Sequence, residues 1–225
     1  NLERQGYIMG ILNVTPDSFS DGSRYQSLDA ALFQAEKMIG EGAAILDIGG
    51  ESTRPGHAKI TDEEEIARVV PVIEAVKERL DVPVSLDTYK YAVAEAGLAA
   101  GADMINDIWG LKWDGRLAEL LAKSGAACCL MHNREQSDYG DFPADFMEDM
   151  RETLRIADAA GISRDKIMLD PGVGFAKSFA QNLSVIKHLD RLEAFGLPIL
   201  LGTSRKSVIG TAPSLPVDER EARTA

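Results

Sequence analysis

Seven short apolar runs alternate with longer amphipathic stretches along this chain, and polar or charged residues follow directly on every run. The runs are Tyr7–Leu12, Ala44–Ile48, Pro83–Leu86, Asp103–Ile105, Ala126–Met131, Lys166–Leu169 and Pro198–Leu201. They are rich in Ile, Val, Leu and Met with little polar alternation, as expected of strands buried on both faces of a parallel sheet. At their C-terminal ends stand Asn13; Asp47 with Gly49-Gly50-Glu51; Asp87; Asn106-Asp107; His132-Asn133; Asp170-Pro171-Gly172; and Gly202-Thr203-Ser204-Arg205-Lys206. An open, doubly wound sheet needs such residues only beside its switch point. A closed barrel gathers all strand ends on one rim, where barrel enzymes place their sites. The pattern therefore predicts an α/β fold of the (β/α)8 TIM barrel class. A full barrel needs eight strands and ~250 residues, so its last strand and helix are expected to lie outside this sequence.

Helical periodicity fills the intervals. Ser27 is a candidate cap for a helix through Ala31, Ala35 and Met38 to Gly42. Thr61 followed by Glu64 reads as a capping box for a helix carrying Ile66, Val69, Val70, Ile73 and Val76 on one face. Pro71 within it should kink that helix or delay its start. Further helices are expected at Lys90–Ala100, Asp114–Lys123, Ala144–Ala160 and Asn182–Phe195. No linker or composition shift divides the pattern, so residues 1–225 form a single domain on this reading.

Charge narrows the partners. The chain carries 24 Lys+Arg against 36 Asp+Glu, a net charge of −12, and that balance argues against nucleic acid or an anionic membrane surface. No apolar run reaches the ~18–20 residues of a spanning helix. The two cysteines, Cys128 and Cys129, are adjacent and cannot form an ordinary bridge, which predicts buried thiols and a cytoplasmic protein. No His-Glu-x-x-His and no Cys/His pairing occurs, so zinc is not expected.

Asp87, Asn106 and Asp170 form the sharpest constellation. Each ends an apolar run and is expected to face the barrel mouth. A carboxylate accepts two parallel hydrogen bonds from an N–C–N edge, and an Asn amide both donates and accepts, so the three together suit an aminopyrimidinone heterocycle. For any one of them, helix capping is an equal alternative, Asp87-Thr88 above all. The segment Gly202-Thr203-Ser204-Arg205-Lys206-Ser207 leads from a strand toward a helix start, where backbone N–H groups and cationic side chains favour an anion. It matches neither the Walker A spacing nor the nucleophile elbow. The long loops after the first two strands, around 13–22 and 49–62, read as substrate covers.

With these motifs in order, the chain resembles the dihydropteroate synthases. The segments that carry the resemblance are Ile11-Leu12-Asn13-Val14-Thr15-Pro16-Asp17-Ser18-Phe19-Ser20-Asp21-Gly22 and Asp47-Ile48-Gly49-Gly50-Glu51-Ser52-Thr53-Arg54-Pro55-Gly56. They are continued by Asp87-Thr88, Asn106-Asp107-Ile108, Asp170-Pro171-Gly172-Val173-Gly174-Phe175 and Gly202 to Ser207, so the likeness covers roughly 7–212. The resemblance implies an enzyme of folate biosynthesis, a sulfonamide target. It would join 6-hydroxymethyl-7,8-dihydropterin pyrophosphate to 4-aminobenzoate with Mg2+ and release pyrophosphate. It further implies that Asp87, Asn106, Asp170 and Lys206 hold the pterin, with Asp87, Asp170 and Lys206 as the catalytic set. Asn13 would lie by the Mg2+ and pyrophosphate, and Thr53 and Arg54 would contact the pyrophosphate and second substrate. Phe19, Pro55 and Ser207 would shape the aminobenzoate pocket, with Phe175 and Gly202 among the substrate-binding positions. A homodimer is implied, as is an Arg-x-His pair on a closing strand beyond Ala225. The alternatives are a non-catalytic pterin-binding or methyltetrahydrofolate-using relative, and a Schiff-base, aldolase-like barrel using Lys206.

Overall fold

The computed structural model describes residues 6–14, 24–51 and 59–204, the side chains of 24–27 excepted. Six parallel strands form one sheet: β1 (Ile8–Asn13), β2 (Ala43–Gly49), β3 (Val84–Asp87), β4 (Met104–Asp107), β5 (Ala127–Met131) and β6 (Ile167–Asp170). Their spatial order is their chain order, each strand pairing with the one before it. Such an order has no reversal and hence no switch point, the signature of a barrel wall rather than a doubly wound sheet.

Between the strands run α1 (Arg24–Gly40), α2 (Asp62–Arg79), α3 (Tyr91–Ala99), α4 (Gly115–Ser124), α5 (Phe142–Ala160) and α6 (Phe179–Lys187). Strand residues alternate between two faces. Leu12, Leu46, Ile48, Val84, Leu86, Ile105, Cys128, Leu130 and Leu169 occupy the face turned to the helices, all essentially shut off from solvent. Against them pack Val69, Val72, Ile73 and Val76 of α2, Leu117 and Leu121 of α4, and Met150 and Leu154 of α5, one continuous core. The thiols of Cys128 and Cys129 are free and buried, as expected.

Several local expectations are corrected. The run 198–201 is not a strand: it meets β6 at a single bridge, Leu169 to Ile199, closed by Leu169 N to Pro198 O and Leu200 N to Leu169 O. Among the described residues nothing pairs with its far side, so the wall is not closed. α1 is already helical at Arg24, which puts Ser27 inside it rather than at its cap; no breaker separates 24 from 27. Thr61 does cap α2, accepting from Glu64 N at 3.2 Å, but Glu64 does not complete the box because its carboxylate pairs with Arg68 one turn on. Pro71 does not delay the start of α2, which is helical from Asp62 through that position and buries Val69, Val72, Ile73 and Val76. The helix expected over Asn182–Phe195 breaks at His188 into α6 and a 3-10 stretch, Leu189–Phe195.

Candidate functional site

Strand register lines up the polar ends. Asn13 pairs with Gly49, Gly49 with Asp87, and Asp87 with Asn106, so these four share one row across β1–β4. One layer deeper, Asp47 pairs with Ser85 on the same, inner face. Asp170 ends β6 opposite Met131, one layer nearer the rim. The site therefore follows from parity: residues two apart along a strand point the same way, and here that way is into the barrel.

The inner wall is rich in acceptors. Asn106 Nδ2 donates to Asp47 Oδ2 at 3.0 Å. Asp47 Oδ1 and Asp87 Oδ1 are buried with no hydrogen-bond partner among the described residues. Burial pushes the Asp47 carboxyl above its usual range, partly offset by the Ser85 hydroxyl and the Asn106 amide. Asp87 is raised further, first by burial and then by the charges of Asp47, Glu65, Asp107 and Glu51. Asp87 does not cap a helix: α3 begins after Lys90, and Thr88 accepts from Lys90 N at 3.3 Å. Buried carboxylate oxygens gain most from partners that bring N–H groups or positive charge, and this wall can present such oxygens to a ligand.

Gly49 keeps the row open. A Cβ placed there would lie 3.5 Å from Asp87 Oδ2 and 3.7 Å from Asn13 Oδ1, between the two. Asn13 is exposed at the strand end, a neutral oxygen available to a hard cation. Among the described residues no three His, Cys, Asp or Glu side chains gather as metal ligands.

Asp170 is 6% exposed, and its Oδ1 accepts from Gly172 N at 2.7 Å within the loop it opens. Phe175 stands half-buried on that loop, and Gly202 half-buried just after the bridged segment. The strand ends thus bring Asn13, Asp87, Asn106 and Asp170 to one end of one wall. Phe19, Thr53, Arg54, Pro55, Lys206 and Ser207 lie outside the described residues.

Two networks were not foreseen. At the end of β2, Glu51 accepts from Tyr89 OH at 3.0 Å and Ile60 N at 3.0 Å, and pairs with Lys90 Nζ at 2.7 Å. Lys90 also reaches Glu65 at 2.8 Å and Ile60 O at 2.9 Å. Residues 51 and 60, which bracket the segment containing Thr53 and Arg54, are therefore tied to one buried ammonium. Burial opposes the Lys90 charge, but its two carboxylates hold its pKa above the usual lysine value. The second network lies behind β5. His132 follows inward-facing Met131, so it points away from the barrel and contacts Asp149 Oδ2 at 2.9 Å through Nε2. Arg134 holds the same carboxylate at 2.6 Å. Burial drives the His132 pKa down to about 4 despite Asp149. His132 is thus a packed residue on the helix side of β5. Asp107 likewise faces the helices, accepting from Trp109 N at 2.8 Å and Leu111 N at 2.6 Å.

The comparisons with known proteins agree with this geometry. The profile of the pterin binding enzymes matches residues 9–225. The dihydropteroate synthase of Clostridium beijerinckii is 53% identical over 220 residues, covering 98% of this chain and 82% of that protein. A Clostridium difficile dihydropteroate synthase, solved in the presence of pteroic acid, superposes with a TM-score of 0.94 at 48% identity, covering 97% of this chain and 83% of that one. A Xanthomonas albilineans dihydropteroate synthase with 4-aminobenzoic acid superposes with a TM-score of 0.89 at 42% identity, over 95% and 79% of the two chains.

Proposed function

The chain belongs to the pterin binding enzymes and, within them, to the dihydropteroate synthases, and from that premise we propose how its own residues perform the reaction. The enzyme is a transferase that condenses 6-hydroxymethyl-7,8-dihydropterin pyrophosphate with 4-aminobenzoate, giving 7,8-dihydropteroate and pyrophosphate. The observation that carries the proposal is the inner row of Asp87 and Asn106, above Asp47 and beside the rim carboxylate of Asp170. In the proposal, Asp87, Asn106 and Asp170 take the N–H donors of the pyrimidine edge, and Lys206 joins them at the ring.

The substitution is dissociative. The bond between the exocyclic carbon and the pyrophosphate oxygen breaks first, its electron pair leaving with the oxygen. The amine lone pair of 4-aminobenzoate then forms the new C–N bond, and the nitrogen loses a proton to solvent. Positive charge develops on the pterin at the first step, and Asp47 and Asp87 present it with buried carboxyl oxygens. The rest is placement: both substrates are held in line, so little freedom is lost at the transition state.

Asn13 would hold Mg2+ through its neutral side-chain oxygen, because that ion takes few protein ligands beside phosphate oxygens and water. When bound it neutralises the leaving anion. Thr53 and Arg54 are proposed at the pyrophosphate, and Phe19, Pro55, Phe175, Gly202 and Ser207 around the aminobenzoate. A single domain over 1–225 is proposed, since the described residues share a continuous core. A homodimer is proposed through α6, which leaves Phe179 and Leu183 about half exposed on one face. A cytoplasmic location is proposed from the two free thiols; no helix among the described residues is long and apolar enough to cross a membrane.

The test is a pyrophosphate-release assay. Release that requires both substrates and is blocked by a sulfonamide is the expected result. Release without the arylamine, or borohydride trapping of a carbonyl substrate on Lys206, would overturn it.

A further inference from the structure

The loop 171–178 after β6 folds around a single ammonium. Lys177 Nζ donates to Gly172 O at 2.9 Å, Phe175 O at 3.0 Å and His132 O at 3.3 Å. An ammonium carries three N–H donors on one point charge, and these carbonyls come from the start of the loop, its middle and the end of β5. Gly172 is the pivot. Its N–H holds Asp170 Oδ1 at 2.7 Å while its C=O takes Lys177, so the two ends of one residue link the carboxylate to the ammonium. Gly172 sits at φ +66, and a Cβ there would fall 2.0 Å from His132 O, so the loop is pressed against β5.

Two further side chains hold the remainder. Buried Asn182 accepts from Gly174 N at 2.7 Å and donates to Lys177 O at 3.1 Å and Ser178 O at 2.9 Å. Tyr139 OH donates to Ala176 O at 2.9 Å. The loop is therefore braced from within and without, and among the described residues Lys177 reaches both the Gly172 pivot and the Phe175 backbone.

We propose that Lys177 is a positioning residue of the reaction, orienting Asp170 through the Gly172 backbone and fixing Phe175 in the same unit. Its effect on the substrate is transmitted through Asp170. The proposal deepens the dihydropteroate synthase reading and rests on it for the identity of the ligand. Charge-assisted bonds to carbonyls are stronger than neutral ones, which is the reason a lysine serves here better than an amide.

A double-mutant cycle tests this. The dissociation constant of 6-hydroxymethyl-7,8-dihydropterin pyrophosphate is measured by fluorescence, without the arylamine, for wild type, Lys177→Met, Asp170→Asn and the double variant. Lys177→Met should weaken binding about 10-fold in the wild-type background and less than about 2-fold when Asp170 is already Asn, as coupled residues do. Equal factors in both backgrounds, the result of a merely structural role, overturn the proposal. Hydrogen exchange supplies an independent readout: the Gly172 amide should exchange faster in Lys177→Met while β3 and β4 amides do not change. Unchanged exchange at Gly172 also overturns it. Should Lys177→Met fail to fold, Lys177→Arg is used in the same cycle, since it keeps the charge but cannot converge three carbonyls on one nitrogen. If wild type binds no pterin, the functional reading falls, and the Gly172 exchange alone still decides whether Lys177 holds the pivot.

Discussion

Asn106 of β4 donates its amide to Asp47 of β2 at 3.0 Å, passing over β3. In a flat sheet two strand spacings separate such residues by roughly 9–10 Å. The bond therefore registers the inward curl of the wall, and the same curl makes Asp87 of the intervening strand a neighbour of both. Replacing Asn106 with Leu leaves Asp47 buried without that donor. Stability should fall by about 1–3 kcal/mol in urea unfolding, and dihydropterin binding should weaken at least about 10-fold, the added loss reporting on the ligand contact.

Two buried titrations oppose each other in acid. His132 is pushed down to about 4 from 6.5, so below 6.5 the unfolded chain binds the extra proton and stability from this group rises with pH between about 4 and 6.5. Asp107 is raised to about 6 from 3.8 by burial, so the folded chain binds the extra proton and stability from it falls as pH rises over about 4 to 6. His132→Asn should therefore make stability fall more steeply with rising pH than in wild type. Asp107→Asn should make it rise more steeply, each by up to ~1.4 kcal/mol per pH unit. Thermal or urea unfolding at a series of pH values checks both signs.

Lys90 bridges Glu51 and Glu65, with all three side chains a tenth exposed or less. Lys90→Met strands two buried carboxylates, and the loss at pH 7 should be about 3–5 kcal/mol. Without the ammonium both carboxyl pKa values rise in the folded state. The deficit relative to wild type should then shrink as the pH is lowered toward 5, as followed by urea unfolding.

Gly172 and Gly161 both have positive φ, +66 and +86, yet only at Gly172 does a Cβ collide with backbone. Gly161→Ala should cost about 1–2 kcal/mol, the ordinary left-handed penalty. Gly172→Ala should cost more in stability and should also depress dihydropterin affinity, because it displaces the loop that orients Asp170. Equal effects of the two substitutions on binding would contradict that loop's role.

Much of this was readable in advance, for a physical reason. Apolar runs buried on both faces leave few polar letters in a strand, so Asn13, Asp87, Asn106 and Asp170 stood out at the strand ends. Asp47 escaped the candidate set because it lies one layer deeper, inside its strand; counting back by two from Gly49 places it on the same face. The Glu51–Lys90–Glu65 and Lys177 networks were not legible, since they depend on contacts across 39, 25 and 45 positions with no local pattern. His132 follows Met131, which takes the inward position, and so packs behind the sheet. The break of the sixth helical pattern at His188 had no Gly or Pro to announce it.

The central claim, that the Asp87–Asn106 row is where the pterin sits, is tested most directly by titrating dihydropterin pyrophosphate onto Asp87→Asn, with surface Asp158→Asn as control. The account predicts that Asp87→Asn weakens binding by roughly 10–100-fold, the worth of a charge-assisted contact of about 1.5–3 kcal/mol, and that the control binds as wild type does. Wild-type affinity in Asp87→Asn would contradict it.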